Sequence, residues 1–318
     1  MPGLRGEASG VHAAGNRVLR VSPLVRGALT GKDGTEVPGT GSPTIRRREL
    51  GALLRALRTD KGWTVELVAE RLQFSPSKVS RLETGQRGAS ARDIRDLCDL
   101  FGVDEVRRQQ LLDLAAEGKQ QAWWQSRNLY YSNYVGLEAA AETIGDFGLG
   151  VVPGLLQTPD YGRAVLRSTR PALAENVIEE RLAGRIQRQR LLTSANPPQF
   201  DAVIDEAVLH RIAASKGVMR AQLARLVEMS ELANVDIRLL PYNAGLLPSN
   251  TNKFILLTFA EAAVPRIVFI EHLTADLYLD RAEDVNAYEA TFRLMREMAA
   301  PPEATRDMIR SFAAALDS

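Results

Sequence analysis

The sequence predicts a mainly α-helical chain whose C-terminal part is an α+β domain, and two observations support this fold class. Between residues 45 and 116, apolar side chains such as Leu50, Leu53, Leu54 and Leu57 recur at spacings of three and four, which is the helical period. Further along, short apolar runs rich in β-branched and aromatic residues predict strands, in the segments FDAVID, VDIRLLP, FILLTF and RIVFIE.

These patterns divide the chain into three parts. Residues 1–44 are rich in Gly, Pro, Ser and Thr and have no apolar period, so we expect a disordered tail. Residues 45–116 predict a helical domain, and residues 120–318 a separate C-terminal domain for dimerisation and regulation. In that last part a helical stretch near residues 175–194 precedes the strands, and helix returns from Ala282 to Leu316.

Composition limits the classes of protein to consider. With 318 residues and 45% hydrophobic side chains the chain can bury substantial cores, and no stretch reaches the roughly 20 apolar residues of a membrane span. The chain has a single cysteine, Cys98, and this excludes an internal disulfide. Cys98 falls on an apolar helical stripe, so we expect it in the core. We expect a cytoplasmic protein with no metal and no cofactor.

The charges are unevenly distributed along the chain. Residues 41–95 carry twelve basic and six acidic side chains, whereas the part from Asp96 onward has a net charge of −7. A basic module therefore precedes an acidic body. Local positive charge suits a polyanionic partner such as double-stranded DNA, although a charge-rich helical surface gives the same excess.

Residues 65–84 fit the requirements of two helices that cross at a tight turn. The inward positions are apolar or small, namely Val68, Ala69, Leu72, Phe74, Val79 and Leu82. Thr64 and Ser75 can cap the two helices, Pro76 suits the first helical position, and Gly85 can end the second helix in a left-handed conformation.

The second of these helices would present a polar, uncluttered face. If Val79 and Leu82 point inward, the helical period turns four side chains outward, and we predict that they contact base edges in the major groove: Ser77, Ser80, Arg81 and Thr84. Small hydroxyls let the helix approach the groove floor, and Arg81 can donate two hydrogen bonds to one guanine. Phosphate contacts are predicted for Thr64, Ser75, Lys78 and Arg87.

Residues 53–103 resemble the repressor-type helix-turn-helix of the Cro and Xre group. The segments VAERL, SPSKVSRLETG and DLCDLFGV carry this resemblance, which implies a complete five-helix, repressor-like DNA-binding module. Two positions depart from the group. Val65 stands where the group usually has a glutamine that supports phosphate contact, and Gln73 stands at the turn position usually given to glycine, so a left-handed Gln73 would cost on the order of 1 kcal/mol.

The segments VVPGLLQTPDYGRAVL and VFIEHLTADLYLD resemble the C-terminal domain of a large group of actinobacterial regulators that are often called antitoxin-like. This resemblance covers roughly residues 120–318. It implies a transcriptional regulator, frequently encoded beside a small partner protein, whose C-terminal domain has no assigned chemistry.

The body shows no catalytic motif, and we expect no enzyme. The segment GLGVVPG lacks the third glycine and the Lys-Ser/Thr of a phosphate loop. Glu271 and His272 are adjacent on a predicted strand and so point to opposite faces, and Asp276 and Asp280 are interpreted as one face of a solvated helix. His210 is expected on a helix surface or at an interface.

Two features of the body leave alternatives open. The run PGLLQTPDY can be a helix-packing turn, or it can form an effector or partner site through Gln157, Thr158 and Tyr161. An aromatic group can form interdomain core or a partner contact, and it consists of Trp123, Trp124, Tyr130, Tyr131 and Tyr134.

The sequence therefore predicts a DNA-binding transcriptional regulator, a homodimer whose body senses a signal or a partner. The alternative is an antitoxin-type protein that binds a small partner protein and regulates its own operon.

Overall fold

A computed structural model describes residues 42–120, 132–248, 253–272 and 275–316 of the chain. Residues 1–41 of the predicted tail lie outside the described residues. Four of the five aromatic residues also lie outside them, namely Trp123, Trp124, Tyr130 and Tyr131. The domain limits given above stay predictions.

The N-terminal region is entirely helical in its described residues. Its helices are α1 (Pro43–Asp60), α2 (Val65–Leu72), α3 (Pro76–Glu83), α4 (Ala91–Phe101) and α5 (Glu105–Glu117). One hydrophobic cluster holds them together, and Cys98 lies in it with 0% exposure, as the apolar stripe predicts.

The C-terminal body alternates helices with strands. Its helices are α6 (Ser132–Glu138), α7 (Pro159–Thr169), α8 (Glu175–Gln189), α9 (Ala207–His210), α10 (Lys216–Met229), α11 (Ala282–Met298) and α12 (Pro302–Ala315). Its strands are β1 (Thr143–Gly148), β2 (Gln199–Asp205), β3 (Val235–Leu240), β4 (Phe254–Thr258), β5 (Ile267–Glu271) and β6 (Asp276–Leu279). Short 3-10 turns follow β1, α8 and β3, at Gly154–Leu156, Arg190–Thr193 and Tyr242–Ala244.

Within the described residues the strands form one mixed sheet in the order β3-β2-β1-β4-β5-β6. The pairs β1–β2 and β2–β3 are parallel, and the other three pairs are antiparallel. Successive residues of a strand point to opposite faces, so Ile144 packs into a core with α6, α10 and α12 while Phe147 packs into a second core with α11. The fold class predicted from the sequence is confirmed.

All four predicted strands are present, as are the helices near 175–194 and 282–316. Strands β1 and β6 were missed. The interpretation of Asp276 and Asp280 as one helix face is wrong, because Asp276 begins β6 and Asp280 lies between that strand and α11. Pairing with β5, at Glu271↔Asp276, imposes the extended conformation on this short segment.

Helix α1 belongs to both regions. It begins at Pro43, two residues before the predicted module, where a proline at the first helical position loses no hydrogen bond. Ile45 packs into the core of the body, whereas Leu50 and Leu54 pack into the core of the N-terminal helices. One helix thus has two buried faces.

Candidate nucleic-acid interface

Helices α2 and α3 pack as the sequence predicts. Val68, Ala69, Val79 and Leu82 are at most 3% exposed, and Leu72 and Phe74 pack against the same cluster. All the predicted inward positions therefore face the core, and this fixes which side of α3 is left for a partner.

The predicted caps are also in place. The hydroxyl of Thr64 accepts a hydrogen bond from Leu67 N at 3.2 Å, and that of Ser75 accepts from Lys78 N at 3.2 Å. Gln73 ends α2 in the left-handed region with a φ of 53°, and Gly85 follows α3 with a φ of 66°. A glycine at position 73 would adopt this left-handed conformation without strain. The turn between α2 and α3 therefore carries the cost, on the order of 1 kcal/mol, that the sequence predicts for Gln73.

Helix α3 lies directly on α1, with almost no space between the backbones. A Cβ on Gly51 would come within 2.6 Å of Leu82 O, and a Cβ on Gly85 within 2.8 Å of Arg48 Cα. The guanidinium of Arg58 reinforces this contact by donating from Nε and Nη2 to the carboxylate of Glu83, at 2.6 and 2.8 Å. The C-terminal end of α3 is thereby held in one orientation on α1.

The outer face of α3 carries the four predicted base-contacting residues. Ser77, Ser80 and Arg81 are exposed, and Thr84 is half-buried. Arg81 folds back along its own helix and donates from Nε to Ser77 O at 3.1 Å, and from Nη2 to Ser77 Oγ at 3.2 Å. These exposed hydrogen bonds are weak enough to be exchanged for contacts with a base.

The side chains predicted to contact phosphate differ in which of their polar groups remain available to a ligand. The hydroxyls of Thr64 and Ser75 accept from the backbone as caps but can still donate a hydrogen bond to a phosphate. The Arg87 side chain is exposed beyond the end of α3.

Lys78 is largely committed inside the module. Its Nζ lies 2.6 Å from Asp93 Oδ1 and 3.2 Å from the centre of the Phe74 ring. Burial raises the pKa of Asp93, but the hydrogen bonds from Lys78 and Ser90 outweigh that effect and hold it below its usual range. Lys78 therefore stabilises the packing of α3 through Asp93 and Phe74, and its contact with phosphate stays a prediction.

Sequence reasoning missed a second basic group near the start of α2. Arg71 lies over the Trp63 ring at 4.2 Å and Lys61 lies at 5.6 Å from the same ring, with both cations exposed. Among the described residues neither takes part in an ion pair, so both remain available to an anion. The alternation of Lys, Trp and Arg in 61–71 was visible in the sequence, but only the fold brings them together.

The run PGLLQTPDY is built into the body. Gln157 is 3% exposed and donates from Nε2 to Val152 O at 2.7 Å, while the Tyr161 hydroxyl, in a side chain that is 1% exposed, accepts from Val152 N at 3.2 Å. Thr158 caps α7 and donates its N–H to Gln222 Oε1 at 2.7 Å. These polar groups are satisfied internally, so the packing interpretation is favoured over the effector or partner site placed on them.

A cavity of about 480 Å³ lies on the opposite side of the sheet, under α11. Its lining includes Gly145 of β1, whose missing side chain makes room for the Phe292 ring, and the charged pair Asp201–Arg296, with a nitrogen–oxygen distance of 3.1 Å. The volume is in the range of small-molecule sites. No group of three His, Cys, Asp or Glu side chains that could hold a metal ion occurs in the described ranges.

Two family models match the chain, each on one of its regions. Residues 49–111 match the model described as "Helix-turn-helix domain", and residues 131–311 match the model described as "Domain of unknown function (DUF5753)". The second match covers more than half of the 318 residues. The chain belongs to the DUF5753 family. Searches of curated proteins and of solved structures gave no significant match.

This DUF5753 protein thus combines a helix-turn-helix domain, which is typical of DNA-binding regulators, with a C-terminal domain of unassigned function. The fold around α2 and α3 agrees with the helix-turn-helix match.

Tyr134 is the described member of the aromatic group, and it belongs to the core. Its side chain is 5% exposed, and its ring stacks on Phe269 with centres 4.3 Å apart. In the described residues no helix is long and apolar enough to cross a membrane.

Proposed function

We propose that this DUF5753 protein is a sequence-specific transcription regulator that reads double-stranded DNA with α3. The outer face of α3 carries this proposal: small hydroxyls and one arginine stand exposed on a helix that is seated rigidly on α1. Ser77 and Ser80 leave room for the helix in a major groove, and Arg81 has the fork that matches a guanine edge.

Selection from a random duplex library tests this proposal. The wild-type chain is expected to enrich one motif, and Ser80→Glu to lose it, because a carboxylate on the reading face would be repelled by the DNA. Ser168→Glu, on the exposed side of α7, is the matched control and should enrich the same motif. The proposal fails if the wild type enriches nothing, or if Ser80→Glu still selects the wild-type motif.

In this proposal the body forms the dimer and receives the signal. No residue is catalytic, and the protein acts in the cytoplasm. We also propose that the helix-turn-helix belongs to the Cro and Xre group and that the body is related to that of the actinobacterial regulators. For a small-molecule signal, the cavity under α11 is the best-supported site, since the polar groups of PGLLQTPDY are used internally. A Cβ on Gly145 would come within 3.0 Å of the Phe292 ring, so a larger residue there would have to displace this ring of the lining.

A second candidate is the antitoxin-type role, in which the body binds a small partner protein. Exposed apolar side chains after β2 and β3 favour it: Ile212 is 50%, Tyr242 61% and Leu246 96% exposed. The ring of His210 stacks on Tyr242 with centres 5.2 Å apart, so α9 and the 3-10 turn after β3 meet beyond the C-terminal ends of β2 and β3.

Co-purification from the native cell tests this second role. A stoichiometric small protein should accompany the wild type and be lost with Leu246→Asp, whereas Leu294→Asp, at another exposed leucine on α11, should retain it. If no stoichiometric protein is found, or if both variants retain it, the antitoxin-type role on this surface is contradicted.

A further inference from the structure

Asp280 links the two regions of the chain through helix α1. Its Oδ2 lies 3.3 Å from Arg48 Nη1, and its Oδ1 lies 3.3 Å from Arg55 Nη1. The two arginines are seven residues apart, which is two helical turns on one face of α1. One carboxylate thus holds a helix at two points along its length.

The Arg48 side chain depends on this contact more than an ordinary surface arginine would. It is 2% exposed, and its Nε and Nη2 have no hydrogen-bond partner among the described residues. Burial lowers the pKa of Arg48, and the negative charge of Asp280 opposes that effect, while Tyr278 places its ring 5.8 Å from the guanidinium carbon. Removing Asp280 would leave a buried charge without its counter-ion.

The same side of α1 carries the reading helix, because Gly51 lies three residues after Arg48 and four before Arg55 and so shares their face. The Cα of Arg48 is the atom that a Cβ on Gly85 would meet at 2.8 Å, directly after α3, and Gly51 touches the last turn of α3. The ion pairs with Asp280 and the contact with α3 therefore lie side by side on one face of α1. Because the close backbone contact and the ion pairs share the same two turns of α1, they hold α3 and Asp280 in a fixed relation to each other.

We infer that Asp280 is a positioning residue that fixes the orientation of the reading helix α3 relative to the body. Asp280 lies between β6 and α11, and α11 covers the cavity on the sheet, so a displacement of α11 would act on this clamp. For a regulator with two half-sites, a fixed orientation sets the spacing at which both reading helices can engage.

Distance measurements between two spin labels, made without DNA, test the clamp. Cysteines replace Gln110 on α5 and Ala221 on α10, which are both exposed, while Cys98 is fully buried and escapes labelling. Labelled chains are diluted with unlabelled chains so that only distances within one chain are measured. The wild type is expected to give one narrow distribution, and Asp280→Asn a broadened or shifted one.

Matched variants make this result specific. Asp284→Asn removes a carboxylate that pairs with Arg281 at the surface, at 2.7 Å, and should leave the distribution narrow. Asp280→Glu keeps the charge and should stay close to the wild type. If Asp280→Asn does not fold, the double variant Arg48→Met with Arg55→Gln removes both ion pairs without leaving a buried charge, and should broaden the distribution. The inference is overturned if either folded variant keeps the wild-type distribution.

A second readout rests on the proposed function. Asp280→Asn should lower the affinity for a selected duplex with two half-sites by about tenfold or more, and leave the affinity for a single half-site unchanged, because only the two-site complex needs a fixed geometry. Equal losses on both duplexes would overturn the positioning role. If the wild type shows no specific DNA binding, the proposed function fails, and the label distances still decide whether the clamp exists.

Discussion

Arg81 is the residue on which base discrimination should depend most. Replacing it by alanine is expected to relax discrimination at one base pair by about 1–3 kcal/mol, since its guanidinium can make a bidentate contact to guanine. Dissociation constants for the selected duplex and for its single-base variants measure this effect. Equal losses on specific and random DNA would make Arg81 a phosphate contact instead.

Lys78 should matter for stability as well as for DNA. Lys78→Ala removes the ion pair with Asp93 and the contact with Phe74, so we expect a loss of roughly 1–2 kcal/mol in the free energy of unfolding at neutral pH. The pKa of Asp93 is lowered in the folded chain, so the contribution of the pair is present above the ordinary pKa of an aspartate and disappears as the pH falls through the lowered value.

Denaturant unfolding of the wild type and of Lys78→Ala at neutral and at acidic pH checks this prediction. A variant that unfolds like the wild type at neutral pH, and weakens binding to all duplexes evenly, would restore Lys78 to the purely phosphate-contacting role that the sequence suggests.

Asp146 on β1 should make the stability of the body depend on pH. Its side chain is 3% exposed, and its Oδ1 has no hydrogen-bond partner within the described part of the chain. Burial raises its pKa to about 6 despite the opposing charges of Lys253 and Arg188. Glu138 and Glu271 raise the pKa further. The folded chain therefore binds a proton that the unfolded chain releases, and stability falls as the pH rises from about 4 to about 6.

Asp146→Asn is expected to remove that loss. The variant should be more stable than the wild type at pH 7, by at most about 3 kcal/mol, and similar to it below about pH 3, where the aspartate is neutral in both states. Thermal unfolding across this pH range provides the measurement. A variant that is less stable at both ends would show that the carboxylate is needed in its charged form.

At the scale of elements, α7 should depend on the internal hydrogen bonds at its start. Gln157→Ala is expected to destabilise the body by roughly 2–3 kcal/mol, and Tyr161→Phe by roughly 1–2 kcal/mol, because each leaves a buried backbone group of Val152 unpaired. Asp160→Asn, which touches only a surface ion pair on the same helix, is the control and should change little. Unfolding midpoints that match the wild type for Gln157→Ala and Tyr161→Phe would reopen PGLLQTPDY as a binding surface.

Helices were predictable from the sequence and two strands were not, for reasons that lie in particular residues. The helical period and the caps at Thr64 and Ser75 are local signals, and the structure contains the helices and caps that they predict. Strand β1 contains Gly145, Asp146 and Gly148, which have low strand propensity, and it exists because two neighbours pair with it and Phe292 packs on the glycine. Tertiary contacts decide such a strand.

The candidate site was predictable to a similar extent. Which face of α3 is exposed follows from its period, but the commitment of Lys78 to Asp93 depends on how α4 packs against the helix-turn-helix. The contact of Arg48 with Asp280 joins residues that are 232 positions apart. No pattern within either segment indicates such a pair.

For the whole molecule, the full chain should bind its operator more tightly than the isolated module. A fragment of residues 42–120 keeps the hydrophobic cluster of the N-terminal helices but lacks the body that we propose as the dimer contact. Its binding should be weak and strongly dependent on salt, since a single half-site is engaged mainly through phosphates. Titration of both proteins on one selected duplex at one salt concentration makes the comparison, and equal affinities would contradict the dimeric body.

Sequence-specific DNA recognition by this chain is tested most directly by its dissociation constants for a selected duplex and for a shuffled duplex of the same composition. Both constants are measured between about 50 and 200 mM salt, where the loss of affinity reports the phosphates contacted. We predict that the selected duplex binds at least about 10³ times more tightly at every salt concentration, while both affinities fall with salt. Equal affinities for the two duplexes, or affinities that do not change with salt, would contradict the account.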